Sequence, residues 1–170
     1  HAQASGQENA IAESYANVSS TANGINLTTD GPGRWFGDVY NSGDIHVAAF
    51  ATAELSTTAE AFGNTGHGNI GAHAAAKASG FVITLNSLNG NIDNSGNIDT
   101  HAIANVSGNI DASGGFFTTA KGQLTAAASA YGISIATGDI DGHVNNSGDL
   151  TVSAFAHANL IAIASAPELR

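Results

Sequence analysis

The chain repeats itself, and that repetition limits what it can fold into more than any other feature. Asn41-Ser-Gly-Asp-Ile45 returns as Asn94-Ser-Gly-Asn-Ile98 and again as Asn146-Ser-Gly-Asp-Leu150, at offsets of 53 and 52 residues. The flanks recur as well, since the run Gly43–Leu55 matches Gly148–Leu160 almost residue for residue. A fixed period of this size implies stacked units that share one continuous core. Weaker copies of the landmark, Gly68-Asn-Ile70 and Gly122-Gln-Leu124, fall midway between the strong ones. The landmark glycines then step Gly43, Gly68, Gly96, Gly122, Gly148, about 26 residues apart. This spacing predicts coils of about 26 residues, with alternate coils more alike.

Apolar residues after each landmark fall on every second position, the period of a strand. The sets are Ile45 to Leu55, Ile70 to Ala78, Ile98 to Val106, Leu124 to Ala130 and Leu150 to Leu160. Alanine fills most of these positions and would favour a helix in isolation. The polar alternate positions and the Asn-Ser-Gly punctuation argue for strands and turns instead. A second strand is expected in each coil, at Gly80–Leu85 and Gly132–Ala136. The predicted fold class is all-β: a flattened parallel β-helix, or β-solenoid, with strand runs alternating with Asn/Ser/Gly turns and an alanine interior. The whole of 1–170 reads as one domain, with an irregular loop at 28–40 that holds Pro32 and the lone tryptophan.

Four basic residues against fourteen acidic ones give a net charge of −10. Such a surface lacks the positive footprint that nucleic acid requires and is repelled by an anionic membrane. No apolar run is long enough to span a bilayer. Cysteine is absent and the first residue is His1. These features suggest an exported, extracellular or cell-surface protein whose signal peptide has been removed. Asn17, Asn26, Asn105 and Asn145 begin Asn-X-Ser/Thr triplets, which matter only in a host that glycosylates such chains.

No nucleophile elbow, phosphate loop, zinc-protease helix or dinucleotide fingerprint occurs. A lyase acting on acidic sugars needs a base beside a carboxylate cluster, and only Arg34, Lys77, Lys121 and Arg170 are available. The chain is therefore read as a non-enzyme without a cofactor. Asp93, Asp99, Asp139 and Asp141 sit in turn-like stretches that could supply carboxylates to calcium. The competing reading has these side chains bonding their own turns. On the 26-residue coil, His73 and His101 would stack on adjacent coils as a two-histidine ladder able to hold a transition metal, with solvated surface histidines as the plainer reading.

Two groups of residues suggest contacts. Phe50, Ile103 and Phe155 lie five positions after their landmarks and on the side opposite the alanines, giving an outward apolar stripe. Arg34, Trp35, Phe36 and Tyr40 lie in the irregular segment, where a loop on a rigid scaffold could dock a glycan or a neighbouring subunit. No capping helix is visible at either end. His157-Ala-Asn echoes His1-Ala-Gln, and Asn159-Leu-Ile-Ala echoes Asn9-Ala-Ile-Ala. Uncapped strand edges template further strands, so head-to-tail stacking into a fibre is one expectation. A fragment of a longer repeat protein is the other.

The Asn-Ser-Gly-(Asp/Asn)-Ile copies followed by alternating alanine strands, over most of Asn41–Ala166, resemble repeats in exported bacterial β-solenoid proteins. Those are the autotransporter passenger domains and filamentous-haemagglutinin-type adhesins. The resemblance implies a secreted or surface location and a role in adhesion, biofilm or fibre formation. The functional expectation is an extracellular structural subunit of a self-associating fibre or matrix. The alternative is a cell-surface adhesin or glycan-binding module, and a binder of ice or mineral surfaces is third, although it lacks regular Thr columns.

Overall fold

A computed structural model describes residues 1–29 and 34–166. They form eleven strands and no helix: β1 (Ala2–Gly6), β2 (Asn9–Thr28), β3 (Arg34–Phe36), β4 (Val39–Asn41), β5 (Ile45–Ala61), β6 (Thr65–Asn89), β7 (Ile92–Asn94), β8 (Ile98–Ser113), β9 (Phe117–Asp141), β10 (Val144–Asn146) and β11 (Leu150–Ser165). The protein is all-β. Every pairing is parallel. The first sheet runs β1-β5-β8-β11, the second joins β2 and β3 to β6 and β6 to β9, and a narrow third runs β4-β7-β10.

The register corrects the expected coil of about 26 residues. Ile45 lies opposite Ile98, and Ile98 opposite Leu150, so the chain returns to the same place after 53 and then 52 residues. The half-repeat at Gly68 and Gly122 belongs to the second sheet, where Gly68 pairs with Ala120 and Gly122 with Ile70. The two halves look alike because each sheet needs the same alternation of small apolar and polar residues to bury one face.

Inward columns build the core. Ile45, Val47, Ala49, Ala51, Ala53 and Leu55 of β5 are buried against Ile70, Ala72, Ala74, Ala76 and Ala78 of β6 and the matching residues of β8, as the alternation predicts. Large and small residues interlock across the interior. A side chain at Gly68 would collide with Ile110 Cγ2 at 2.5 Å, and Leu124 fills the space beside Gly108. This complementarity lets mostly methyl-sized groups reach close packing.

The expected second strands are continuous with the first, as the later part of β6 and β9. What changes is the facing. Even-numbered residues point inward up to Ala78, and Phe81, Ile83 and Leu85 do so afterwards. The slip occurs at Gly80, whose missing side chain leaves room for Ile98 Cγ2 and for the Gly132 carbonyl. Gly24 and Gly132 occupy the same place beside Ile45 and Leu150.

The loop expected at 28–40 is corrected where it is described. Thr28 ends β2, Arg34–Phe36 pair with Ser87–Asn89, and Val39–Asn41 pair with Ile92–Asn94. Residues 30–33, including Pro32, lie outside the described residues. Between the short strands, Gly37, Gly90 and Gly142 adopt φ of 127°, 149° and 153°, a region open to glycine and costly for other residues. Gly90 also packs directly on the Gly37 carbonyl, so a side chain there has no space.

Candidate functional site

The narrow third sheet and its turn carry most of the specific polar contacts. Asn41, Asn94 and Asn146 form a column in which Asn41 Nδ2 donates to Asn94 Oδ1 and Asn94 Nδ2 donates to Asn146 Oδ1, both at 2.6 Å. Each Nδ2 also donates to a carbonyl two residues on, at Gly43, Gly96 and Gly148. Asn94 is buried, and this ladder gives its amide the partners that burial demands. Beside it, Asp44 accepts from the Asn97 amide and Asn97 from the Asp149 amide. Asp38, Asn91 and His143 repeat the arrangement one turn away. The Asn-Ser-Gly motif thus orders the turns by bonding from one passage of the chain to the next.

The most unusual surface is the carboxyl-side edge. Strand β11 is the last in its sheet, and all of its residues are exposed. Its inward-pattern residues continue the core columns into solvent: Leu150 is 47% exposed, whereas Ile98 in the same column is 1% exposed. On the amino side, β1 covers only Thr57–Ala61 of β5, and among the described residues no strand pairs with Ile45–Ser56 on that side. Both edges offer rows of backbone donors and acceptors, the template for a further strand.

The structure sets Phe50, Ile103 and Phe155 opposite one another on the outer face of the first sheet, and the Phe155 ring stacks on His157 at 6.2 Å. It divides the other aromatic group. Phe36 and Tyr40 are exposed, but Trp35 packs against the core, with its Nε1 buried and unpaired. The expected Trp35 contact surface is corrected for that reason: alternation along β3 turns Trp35 inward while Arg34 and Phe36 face out. Arg34 shares a shallow groove of about 210 Å³ with Asp139 and Asp141. Tyr40 donates to Asp38 Oδ2 at 3.2 Å, and the Asp38 charge raises the phenol above its ordinary pKa by disfavouring a second negative charge.

The calcium proposal is corrected by placement. Asp139 and Asp141 end β9, Asp93 lies on β7 with His143 at 3.3 Å, and Asp99 lies on β8 between His46 and His101. Among the described residues, no group of three or more His, Cys, Asp or Glu side chains is placed to hold a metal ion. The histidine ladder is corrected too: His73 lies between Asn17 and Thr125 in the second sheet, and His101 between Ala48 and Ser153 in the first.

Sequence reasoning passed over one feature. Tyr15, Asn17, His73, Gln123 and Thr125 line an open groove of about 430 Å³ on the outer face of the second sheet. Gly71 makes the notch, and Asn69 Nδ2 holds the Tyr15 hydroxyl at 2.8 Å. The signal was a single glycine in an outward-facing row, visible only once the register was known. No helix among the described residues is long and apolar enough to cross a membrane. No protein-family model, curated protein or solved structure matches this chain.

Proposed function

We propose that the stacked parallel sheets are a flattened β-solenoid with passages of 52–53 residues, and that the chain is a structural subunit of an extracellular fibre or matrix built by head-to-tail stacking. The observation that carries this reading is the register, in which each passage lies flat on the last with its core columns and asparagine ladder in line, and among the described residues no strand covers β11. Burying such columns under another strand gains roughly 25 cal/mol per Å² of apolar surface removed from water and pairs the free backbone groups. The reading assigns the chain no chemistry of its own. The exported setting, and kinship with autotransporter passengers or filamentous-haemagglutinin-type adhesins, are supported by the resemblance of the repeats.

Electron microscopy and light scattering of the purified chain across a dilution series test it. Fibres of uniform width that persist on dilution are expected. Monodisperse short particles at every concentration would overturn the stacking role.

A second reading, a glycan-binding surface module, is favoured by one feature, the Tyr15 groove, which sets an aromatic ring among amide, imidazole and hydroxyl groups. Glycan-array binding lost on Tyr15→Ala but kept on Trp35→Phe supports it. An array without signal removes it.

A further inference from the structure

The register within the chain specifies how a second copy would meet it. Columns in the second sheet run Glu13, Asn69, Lys121 and Arg34, Ser87, Asp139. Each begins and ends with opposite charges and has a neutral residue between. If the amino side of one copy continues the carboxyl side of another in the same register, Glu13 falls on Lys121 and Arg34 on Asp139. The chain has only four basic residues, and two of them stand at these two junction positions. The turn ladders continue as well. Asn146 Nδ2 donates within its own turn to Gly148, as Asn94 Nδ2 does to Gly96 while also reaching the next asparagine. Asn41 Oδ1 of a second copy would accept its remaining hydrogen.

The same register creates two conflicts: it sets Asp44 of the second copy on Asp149, a like-charge contact that the Glu13–Lys121 and Arg34–Asp139 pairs must outweigh, and it crowds β1. Ala2 pairs with Thr57, Thr57 with Ile110 and Ile110 with Ala162, so β1 and the end of β11 occupy the same position around the stack. In a continuous stack, both would claim the edge of Thr57–Ala61. Their sequences suit one slot: Ala2 and Ala4 point inward from β1, and Ala162 and Ala164 hold the equivalent places. Strand β1 covers only a small local core of Ala10, Ala12, Ala59 and Ala61. The expected terminal echo of His1 with His157 is therefore replaced by a register echo of Ala2 with Ala162.

We propose that a second copy of this chain docks on the carboxyl-side edge in the register that sets Glu13 on Lys121 and Arg34 on Asp139, and that its β1 yields its place to Ala162–Ser165 of the first copy. This rests on the stacking reading above. The incoming copy then covers β11 with its own β5, and the vacated slot is refilled by the same pattern of methyl groups.

Two sets of full-length variants test it by fibre growth rate. Lys121→Glu and Glu13→Lys each place like charges at the junction, and each alone is expected to grow at least tenfold more slowly. An equimolar mixture restores opposite charges at every alternating junction and recovers growth. The chain has no cysteine, so Ser5→Cys with Glu60→Cys, neighbours across the β1–β5 pair, forms a lock that holds β1 in place. The oxidised lock is expected to stop growth and its reduction to restore it, while Ser165→Cys with Glu60→Cys yields covalent multimers. A mixture no faster than its components overturns the register, and oxidised lock growing at the unmodified rate overturns displacement of β1, with stacking itself left standing in both cases. Unmodified protein that forms no fibre, its edge left to some other strand, overturns the stacking reading and this inference together.

Discussion

Replacing Asn94 with alanine removes the centre of the turn ladder. Its side chain makes three hydrogen bonds: it accepts from Asn41 and donates to Asn146 and to the Gly96 carbonyl. Asn94 is 1% exposed, so water does not readily replace it. A net value of about 1 kcal/mol for each of the two bonds between asparagines, with about 1–3 kcal/mol for the buried Gly96 carbonyl left without its donor, puts the loss at about 3–5 kcal/mol. In the unassembled chain Asn146 makes two of the same bonds but is exposed, and solvent takes over its partners. Asn146→Ala is expected to cost about 1 kcal/mol. Urea unfolding of the unassembled chain followed by far-ultraviolet circular dichroism measures both, with hydrogen exchange of the Ser95 and Ser147 amides as a local readout, since these donate to the carbonyls of Asn41 and Asn94. If the two variants differ by less than about 1 kcal/mol, the bonds are not what orders the turns, and the reasoning from net bond strength fails.

Glycine positions separate crowding from open space. Gly80→Val drives a side chain into Ile98 and the Gly132 carbonyl and is expected to cost about 1–3 kcal/mol or more, while in the unassembled chain Gly43→Ala, whose nearest neighbour is Asn41 Oδ1 at 4.0 Å, stays within about 0.5 kcal/mol; thermal unfolding of the unassembled pair decides. Trp35→Ala is expected to lower stability by about 2–4 kcal/mol because the ring packs on the core, whereas exposed Phe36→Ala changes it by no more than about 0.5 kcal/mol. Equal effects in that pair would contradict the inward placement of Trp35. Tyr40 is expected to ionise above the ordinary tyrosine range, because the phenolate would face the Asp38 carboxylate. Asp38→Asn should bring that transition down in an ultraviolet titration, and an unchanged titration would refute the assigned cause.

Much of the architecture was legible because its signals are local. A period of two in Ile45–Leu55 and Leu150–Leu160 requires only that one face of a strand be buried, and those residues do form the inward columns. The outward stripe of Phe50, Ile103 and Phe155 followed from the same alternation. Trp35 was misread because the irregular composition around Pro32 resembles a loop, although three residues of ladder with β6 suffice to turn the indole inward. The aspartates were misjoined because nearness in sequence does not fix nearness across the stack.

By itself, the sequence determined that this chain makes strands, that the Asn-Ser-Gly copies are turns, and which side of Ile45–Leu55 and its copies faces inward, since these depend on side-chain alternation and turn chemistry within a few residues. Only the tertiary structure decided which passages lie side by side. Both halves of the 52–53-residue repeat carry the same alternation, so either could have stacked on the other. The choice rests on contacts between residues far apart in the chain: the asparagine column, and the glycines that admit isoleucine and leucine from the facing sheet.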